Sequence, residues 1–388
     1  MRGSIVKRQG KATKDGKPIT LYYIVYQVGK RQKWEAVPER TRKAAEKLLA
    51  RRLNEIGDGE YREPSRMTFA EFKDVWFEKC ARGQMKPTSV SKYQNMFGAK
   101  IVPAIGQKEL SRIDAEDIQG FKSALLAEGL APKTAGQYLQ IVRQVLGCAV
   151  DWGYIRHNPA KLVKDPRVPR REMDCLNPEE CRAFLDHAPE RWYPFFLTAL
   201  TTGLRFNELL AMKWKNLDWG SMRYFVKETL TRKTKTTDRG FDAPKTESSV
   251  APVDLTPRCL DALQVHRARQ AQEKLRAGES YKDLGLIFAT RDGAPVDEHA
   301  VSRAFLPILK AAGLRRIRFH DLRHTCASLL IHQGESPKYI QRQMRHASIQ
   351  MTFDRYGHLF PEAGREAARR LDATLFGSGG RAEAGSAV

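Results

Sequence analysis

Four stretches in the C-terminal half of the chain hold side chains whose types could do chemistry together. FHDLRHTCASLL, residues 319–330, crowds His320, Asp321, Arg323 and His324 into the first turn of an apolar helix. That end of a helix already carries partial positive charge and suits anions, so cationic groups there imply something negative in front of them. His320 and Arg323, three residues apart, share a helical face, and Asp321 is expected to cap the helix. TTGLRFNELLAMKW, residues 201–214, sets Arg205 at the head of another helix, with Glu208 one turn on and within reach for an ion pair. DAPKTESSVAPVDL, residues 242–255, puts Lys245 at a turn between two short strands, with Lys233 and Lys235 of TRKTKTTDRG as rivals for its role. RQMRHASIQMTFDRYGHLF, residues 342–360, holds His346 ten residues before Tyr356, and the SIQMTFD between them suits a capped helix.

Singly, each stretch has an ordinary explanation: an exposed Arg–Glu pair, a hairpin lysine, a half-buried tyrosine with its hydroxyl satisfied. Jointly, two arginines, two histidines, a lysine and a tyrosine form a set suited to phosphoryl transfer without a metal. A phosphodiester under attack develops charge on its non-bridging oxygens, which guanidinium forks match in a bidentate way. A tyrosine hydroxyl titrates near pH ~10, so it needs a base or a strong positive field to attack. It can then form a covalent phosphotyrosine. A histidine can shuttle the proton, a lysine can protonate the departing sugar oxygen, and Glu208 can hold an arginine in place.

The elements that position these groups follow from the pattern. The third unit, 174–376, opens with Asn177-Pro178-Glu179-Glu180, an N-cap followed by proline and early acids. Helices then alternate with a β-rich section near 222–254. Ahead of it, a helical unit over 67–160 begins at Thr68 and includes a long helix from Lys133 to about Tyr154, stopped before Pro159. VKDPRVPRREMD is read as an exposed connector. Residues 1–60 combine the aromatic, β-branched ITLYYIVYQV and KWEAV with TRKAAEKLLARRLNEIG, predicting two or three antiparallel strands and a helix capped by Thr41 and stopped at Gly57. The tail 377–388 is expected to be disordered. The predicted fold class is multidomain and mostly α with small β-sheets: a β-sheet-plus-helix N-terminal domain, a helical domain and a mixed α+β catalytic domain.

Composition points to the partner. Among 388 residues, 67 Lys and Arg against 45 Asp and Glu give a net charge of +22. The excess is spread over all three segments, which favours a polyanion along the whole chain. Lys86, Ser91, Lys92, Lys133 and Arg143 of the helical unit are candidates for contacts to a nucleic-acid backbone, and the strands around Tyr22–Val28 could enter a groove. Six cysteines without a CxxC pair argue against a zinc ribbon or disulfide scaffold and fit a reducing cytosol. There is no leader-like N-terminus, membrane-length apolar run, phosphate-binding glycine loop or metal-ligand helix, so no cofactor and no metal are expected.

The order Arg…Lys…His-x-x-Arg…His…Tyr, carried by TGLR-FNEL, PKTESS, HDLRHT and RHASIQMTFDRYGHL, resembles the tyrosine recombinase (phage integrase) family of site-specific DNA recombinases. The helical unit looks like that family's core-binding domain, and residues 1–60 resemble the arm-binding domain of lambda-type integrases. The resemblance implies that Tyr356 attacks the scissile phosphate to leave a 3′-phosphotyrosyl bond, and that Arg205 and Arg323 grip the phosphate. It implies His320 as proton acceptor or donor, His346 as a hydrogen-bond partner of the same phosphate and Lys245 as general acid for the 5′-oxygen. Conserving the bond as phosphotyrosine removes any need for ATP or a divalent metal.

Further expectations come with the likeness. The partner is double-stranded DNA at core-type and arm-type sites, bound by a homotetramer that passes through a Holliday junction. A DNA-bending host factor and an excision directionality factor are possible partners, in a bacterial or phage-encoded protein of the cytoplasm and nucleoid. The segment 362–377 resembles a tail that packs on a neighbouring subunit. One departure is Arg345 before His346, where the family usually has glycine; it could crowd the turn or supply an extra phosphate contact. The rivals are a topoisomerase IB-like relaxing enzyme and a non-cutting DNA-binding regulator. The former lacks a need for two DNA-binding modules; the latter would not need all six residues.

Overall fold

The computed structural model of the chain describes residues 3–9, 20–58, 66–81, 83, 85–169, 173–231, 240–242, 251–360 and 364–377. It divides into two units, Met1–Pro169 and Arg170–Val388. No helix among the described residues is long and apolar enough to cross a membrane.

In the first unit, β1 (Gly3–Gln9), β2 (Thr20–Val28) and β3 (Arg31–Ala36) form an antiparallel sheet in that order, with α1 (Arg42–Gly57) against one face. Strand period 2 sorts the aromatics. Tyr22, Ile24, Tyr26 and Val28 meet Ala45, Leu48, Leu49 and Leu53 of α1. Tyr23 lies on the other face with Trp34, its ring centroid 6.4 Å away, and the Arg8 guanidinium sits 4.9 Å over Trp34. Thr41 caps α1 by accepting from the Ala44 N–H, as its sequence predicts. The sheet has the three strands expected, but the place of β1 was not: GSIVKRQ carries too short an apolar run to announce itself.

The helical part comprises α2 (Phe69–Trp76), α3 (Pro87–Met96), α4 (Val102–Ile105), α5 (Ala115–Ala127) and α6 (Pro132–Asp151). They close around Phe69, Phe72, Trp76, Phe97, Leu139, Val142 and Leu146. Thr68 and Glu71 form a capping box at the start of α2. Helix α6 stops earlier than Pro159 would require, because Gly153 at φ 78° turns the chain into the left-handed region right after its C-cap.

The second unit is built on α8 (Tyr193–Thr202), buried from Pro194 to Leu200, with α7 (Pro178–Asp186) before it and α9 (Phe206–Leu210) after. Asn177 caps α7 in a box with Glu180, as expected. Strands β4 (Leu217–Asp218), β5 (Arg223–Phe225) and β8 (Pro252–Asp254) form one sheet, and β6 (Thr229–Leu230) pairs with β7 (Phe241–Asp242). Helices α10 (Pro257–Ala277), α11 (Glu298–Ala311) and α12 (Asp321–His332) pack around Phe184, Phe195, Phe196, Phe305 and Phe319. Then follow α13 (Pro337–Met344), α14 (Ile349–Tyr356) and α15 (Gly364–Phe376). On α15, Leu371, Leu375 and Phe376 are exposed, so this helix does not bury that face on its own unit.

Candidate active site

Helix α8 ends where Gly203 takes φ 62°, and a Cβ there would run into the Met344 side chain. Glycine at this turn therefore permits both the left-handed backbone and the close approach of α13. The chain leaves the turn at Arg205, the N-cap of α9. Its backbone N–H donates to Glu208 Oε2 at 2.9 Å and its Nη1 to Glu208 Oε1 at 2.8 Å. Glu208, expected to reach Arg205, is buried and holds it by backbone and side chain together.

The turn after α13 completes the arrangement. Arg205 Nη2 donates to the Arg345 carbonyl at 3.2 Å. Arg323, buried on α12, donates from Nη1 to the Gly203 carbonyl and from Nη2 to the Met344 carbonyl. Both guanidinium groups thus converge on consecutive carbonyls of one turn. Burial, with the Arg205 and Arg345 charges nearby, lowers the Arg323 pKa to about 10, which leaves it cationic at neutral pH. Arg345 itself sits at φ 51°, ψ 51°, with a fully buried side chain whose Nη2 donates to Glu208 Oε2. Its Nε and Nη1 have no hydrogen-bond partner. It neither disrupts the turn nor reaches solvent.

His320 is the exposed N-cap of α12. Asp321 does not cap that helix with its side chain. Its carboxylate accepts instead from the Arg318 backbone N–H at 2.7 Å and from the Arg318 guanidinium, so this expectation is corrected. His324 points to Tyr356, with Nδ1 2.8 Å from the hydroxyl. Tyr356, the last residue of α14, is fully buried, and burial pushes its hydroxyl up to about 12 against the opposing pull of Arg323 and Arg355. Ser348 caps α14 through the Met351 N–H, as the spacing predicts. His346 stacks on the Tyr356 ring, with centroids 6.3 Å apart and planes within 13°, and its Nδ1 is paired with Thr352 Oγ1 at 2.9 Å. Burial among Arg323, Arg355 and Arg205 drives the His346 pKa down to about 3.

The structure thus brings together Arg205, Glu208, Arg323, His346 and Tyr356. Lys245 and its rivals Lys233 and Lys235 lie outside the described residues. Strand β8, beyond that segment, is fixed by Gln343, which accepts from the Asp254 N–H and donates to the Asp254 carbonyl. In the helical part, Lys92 and Lys133 are exposed, and Lys92 donates to Gln137 Oε1 at 3.1 Å, so α3 and α6 share that face. Lys86, at the head of α3, and Ser91 are half-buried. Arg143 is a correction: its guanidinium donates to the Ala160 and Val163 carbonyls and pairs with Asp165 at 2.8 Å, so it binds its own chain. His324 and Arg355 were not expected at the site; His324 stood in the crowded first turn of α12, and its partner could be found only from the fold. Among the described residues, no three His, Cys, Asp or Glu side chains gather as a metal site.

Residues 174–363 match the phage integrase family, and residues 68–126 match the N-terminal SAM-like domain of phage integrases. The chain is 28% identical to the ICEBs1 integrase of Bacillus subtilis (strain 168), over 86% of this chain and 91% of the relative. Its fold is similar to that of the Tn1549 transposon integrase in complex with a circular intermediate DNA, at TM-score 0.65 and 20% identity, covering 80% of this chain and 99% of that one. It is also similar to a lambda integrase tetramer bound to a Holliday junction, at TM-score 0.55 and 20% identity, covering 88% and 93%.

Proposed function

The chain belongs to the phage integrase family of tyrosine recombinases and is a site-specific DNA recombinase, and from that premise we propose how its residues divide the reaction. Tyr356 attacks the scissile phosphate and is left joined to the 3′ side of the break. Arg205 and Arg323 hold the non-bridging oxygens, where developing charge is stabilised by donors fixed in advance. His320, exposed at the head of α12, and His346 lie beside the same phosphate, and Lys245 protonates the departing 5′-oxygen. The liberated 5′-hydroxyl of a partner strand then attacks the phosphotyrosine, which conserves the ester without ATP.

One observation carries this reading. Three consecutive residues, Met344, Arg345 and His346, gather the set: the first two carbonyls receive Arg323 and Arg205, and the third residue stacks on Tyr356. Arginines tethered to backbone carbonyls can exchange those acceptors for phosphate oxygens with little movement. Glu208 positions Arg205.

The DNA reading extends to the rest of the chain. Residues 67–160 serve as the core-binding domain, with Lys86, Ser91, Lys92 and Lys133 on DNA phosphates, and residues 1–60 as an arm-binding domain. The face bearing Arg8, Tyr23 and Trp34 suits that task, being cationic and aromatic. Residues 174–376 are the catalytic domain. Four copies act on a Holliday junction, in line with the lambda integrase tetramer, and the exposed apolar side of α15 packs on a neighbour. The place of action is bacterial cytoplasm at the nucleoid, with a DNA-bending host factor and a directionality factor as partners.

Arg323→Ala tests the reading. It should still bind attachment-site DNA and lose cleavage by roughly 100-fold or more, the scale of removing one charge-stabilising donor. Normal recombination by that variant would overturn the assignment.

A further inference from the structure

His324 has no role in the scheme above, yet it is the group bonded to the nucleophile. Its Nδ1 lies 2.8 Å from the Tyr356 hydroxyl, both side chains are buried, and it follows Arg323 directly on the same helix. We propose that His324 is a further catalytic residue, the base that takes the Tyr356 proton during attack and returns it on rejoining. The inference rests on Tyr356 being the nucleophile.

Geometry selects His324 over the other two histidines. A ring nitrogen accepts a proton in the plane of the ring. His346 lies nearly parallel to the Tyr356 ring with centroids 6.3 Å apart, and its Nδ1 is already paired with Thr352. His320 is exposed, and its ring stands almost perpendicular to that of His324, with centroids 5.1 Å apart. His324 alone of the three has a ring nitrogen at hydrogen-bond distance from the phenolic oxygen. It also sits within a helix packed on the core, so it is placed before DNA arrives.

The surrounding charges give the pair its starting protonation. His320, Asp321 and Arg323 on α12, His346 on the preceding turn, and Arg355 and Tyr356 on α14 face the ring. Burial, reinforced by His320, Arg355 and Arg323 against the opposing pull of Asp321, lowers His324 to about 4. It is therefore neutral at neutral pH, while Tyr356 holds its proton. A bound phosphate offsets the cationic field and makes His324 a stronger base.

In the cleavage step the phenolic proton passes to Nδ1, and the electron pair it leaves forms the O–P bond. The P–O5′ bond breaks, and the 5′-oxygen takes a proton from the general acid. In rejoining, a 5′-hydroxyl attacks phosphorus and gives its proton back to the group that served as general acid, the P–O bond to Tyr356 breaks, and Nδ1 returns its proton to the tyrosine oxygen.

The test is single-turnover cleavage of a nicked duplex carrying the attachment core, by the full chain, between about pH 6 and pH 10. His324→Gln and His324→Ala should bind the duplex and cleave about 100-fold more slowly near pH 7, the usual scale of general-base catalysis. The deficit should narrow as pH rises and hydroxide removes the tyrosine proton, and added imidazole should speed His324→Ala. Cleavage at the wild-type rate or faster would mean that the bond only stores the tyrosine and would overturn the proposal. An equal deficit at every pH, unmoved by imidazole, would make His324 a packing residue and overturn it as well. If neither variant binds DNA, the wild type decides. A rate that stays level across this range, as a base already neutral at its start requires, supports the proposal, and one that climbs tenfold per pH unit throughout contradicts it. Tyr356→Phe run alongside separates the two readings: a covalent adduct from that variant would remove the nucleophile itself.

Discussion

Arg345 occupies a backbone state that favours glycine, at φ 51°, and a side chain there costs about 1–2 kcal/mol relative to the right-handed region. What offsets the strain is the buried pair with Glu208, which leaves one carboxylate between two guanidinium groups, those of Arg205 and Arg345. The shared carboxylate fixes Arg205 without cancelling the positive charge of the pocket. Arg345→Gly and Arg345→Ala lose the same guanidinium, so the difference between them isolates the backbone. Urea unfolding should find Arg345→Ala less stable than Arg345→Gly by about 1 kcal/mol, because only glycine adopts this conformation freely. Equal stabilities would show that the turn has relaxed and carries no such strain. The sequence marks Arg345 as a departure but cannot show its partner, since Glu208 lies 137 positions away in the chain.

At the scale of elements, helix starts were the most legible feature. The caps at Thr41, Thr68, Asn177 and Ser348 are local, each side chain accepting from an N–H three residues on. Ends and strands were less so. Gly153 stops α6 before Pro159 can, and β1 is held by pairing with β2, a non-local contact that GSIVKRQ does not encode by itself. Asp321 looked like a cap, but Arg318, just ahead of it, binds its carboxylate. The junction between α8, α9 and α13 depends on Gly203, whose carbonyl receives Arg323. Gly203→Ala forces a side chain into a left-handed backbone, so it should cost about 1–2 kcal/mol in urea unfolding. It should also slow cleavage, since the Gly203 and Met344 carbonyls both hold Arg323. Unchanged stability would mean that α13 shifts freely, and the rigid junction would then have to be abandoned.

Across the whole molecule, a charge of +22 spread over every segment suits a protein that meets one anion along its length. The candidate site was largely legible in the sequence because residue type carries much of the proposed chemistry: arginines for oxyanions, a tyrosine for attack, histidines beside them. Arg205, Glu208, Arg323, His346 and Tyr356 are gathered around one turn from stretches spanning about 150 positions. Arg143 was misread because a cation on a helix looks the same whether it faces DNA or its own connector. The His324–Tyr356 bond was hidden for the opposite reason, as two helices had to be packed before it existed.

The most direct measurement of the central claim mixes a nicked duplex carrying the attachment core with wild type or Tyr356→Phe, without metal or ATP, and looks for a protein–DNA band that survives denaturation. The account predicts the band with wild type alone. Binding by both proteins with a band from neither would contradict it and leave a DNA-binding protein that cuts nothing.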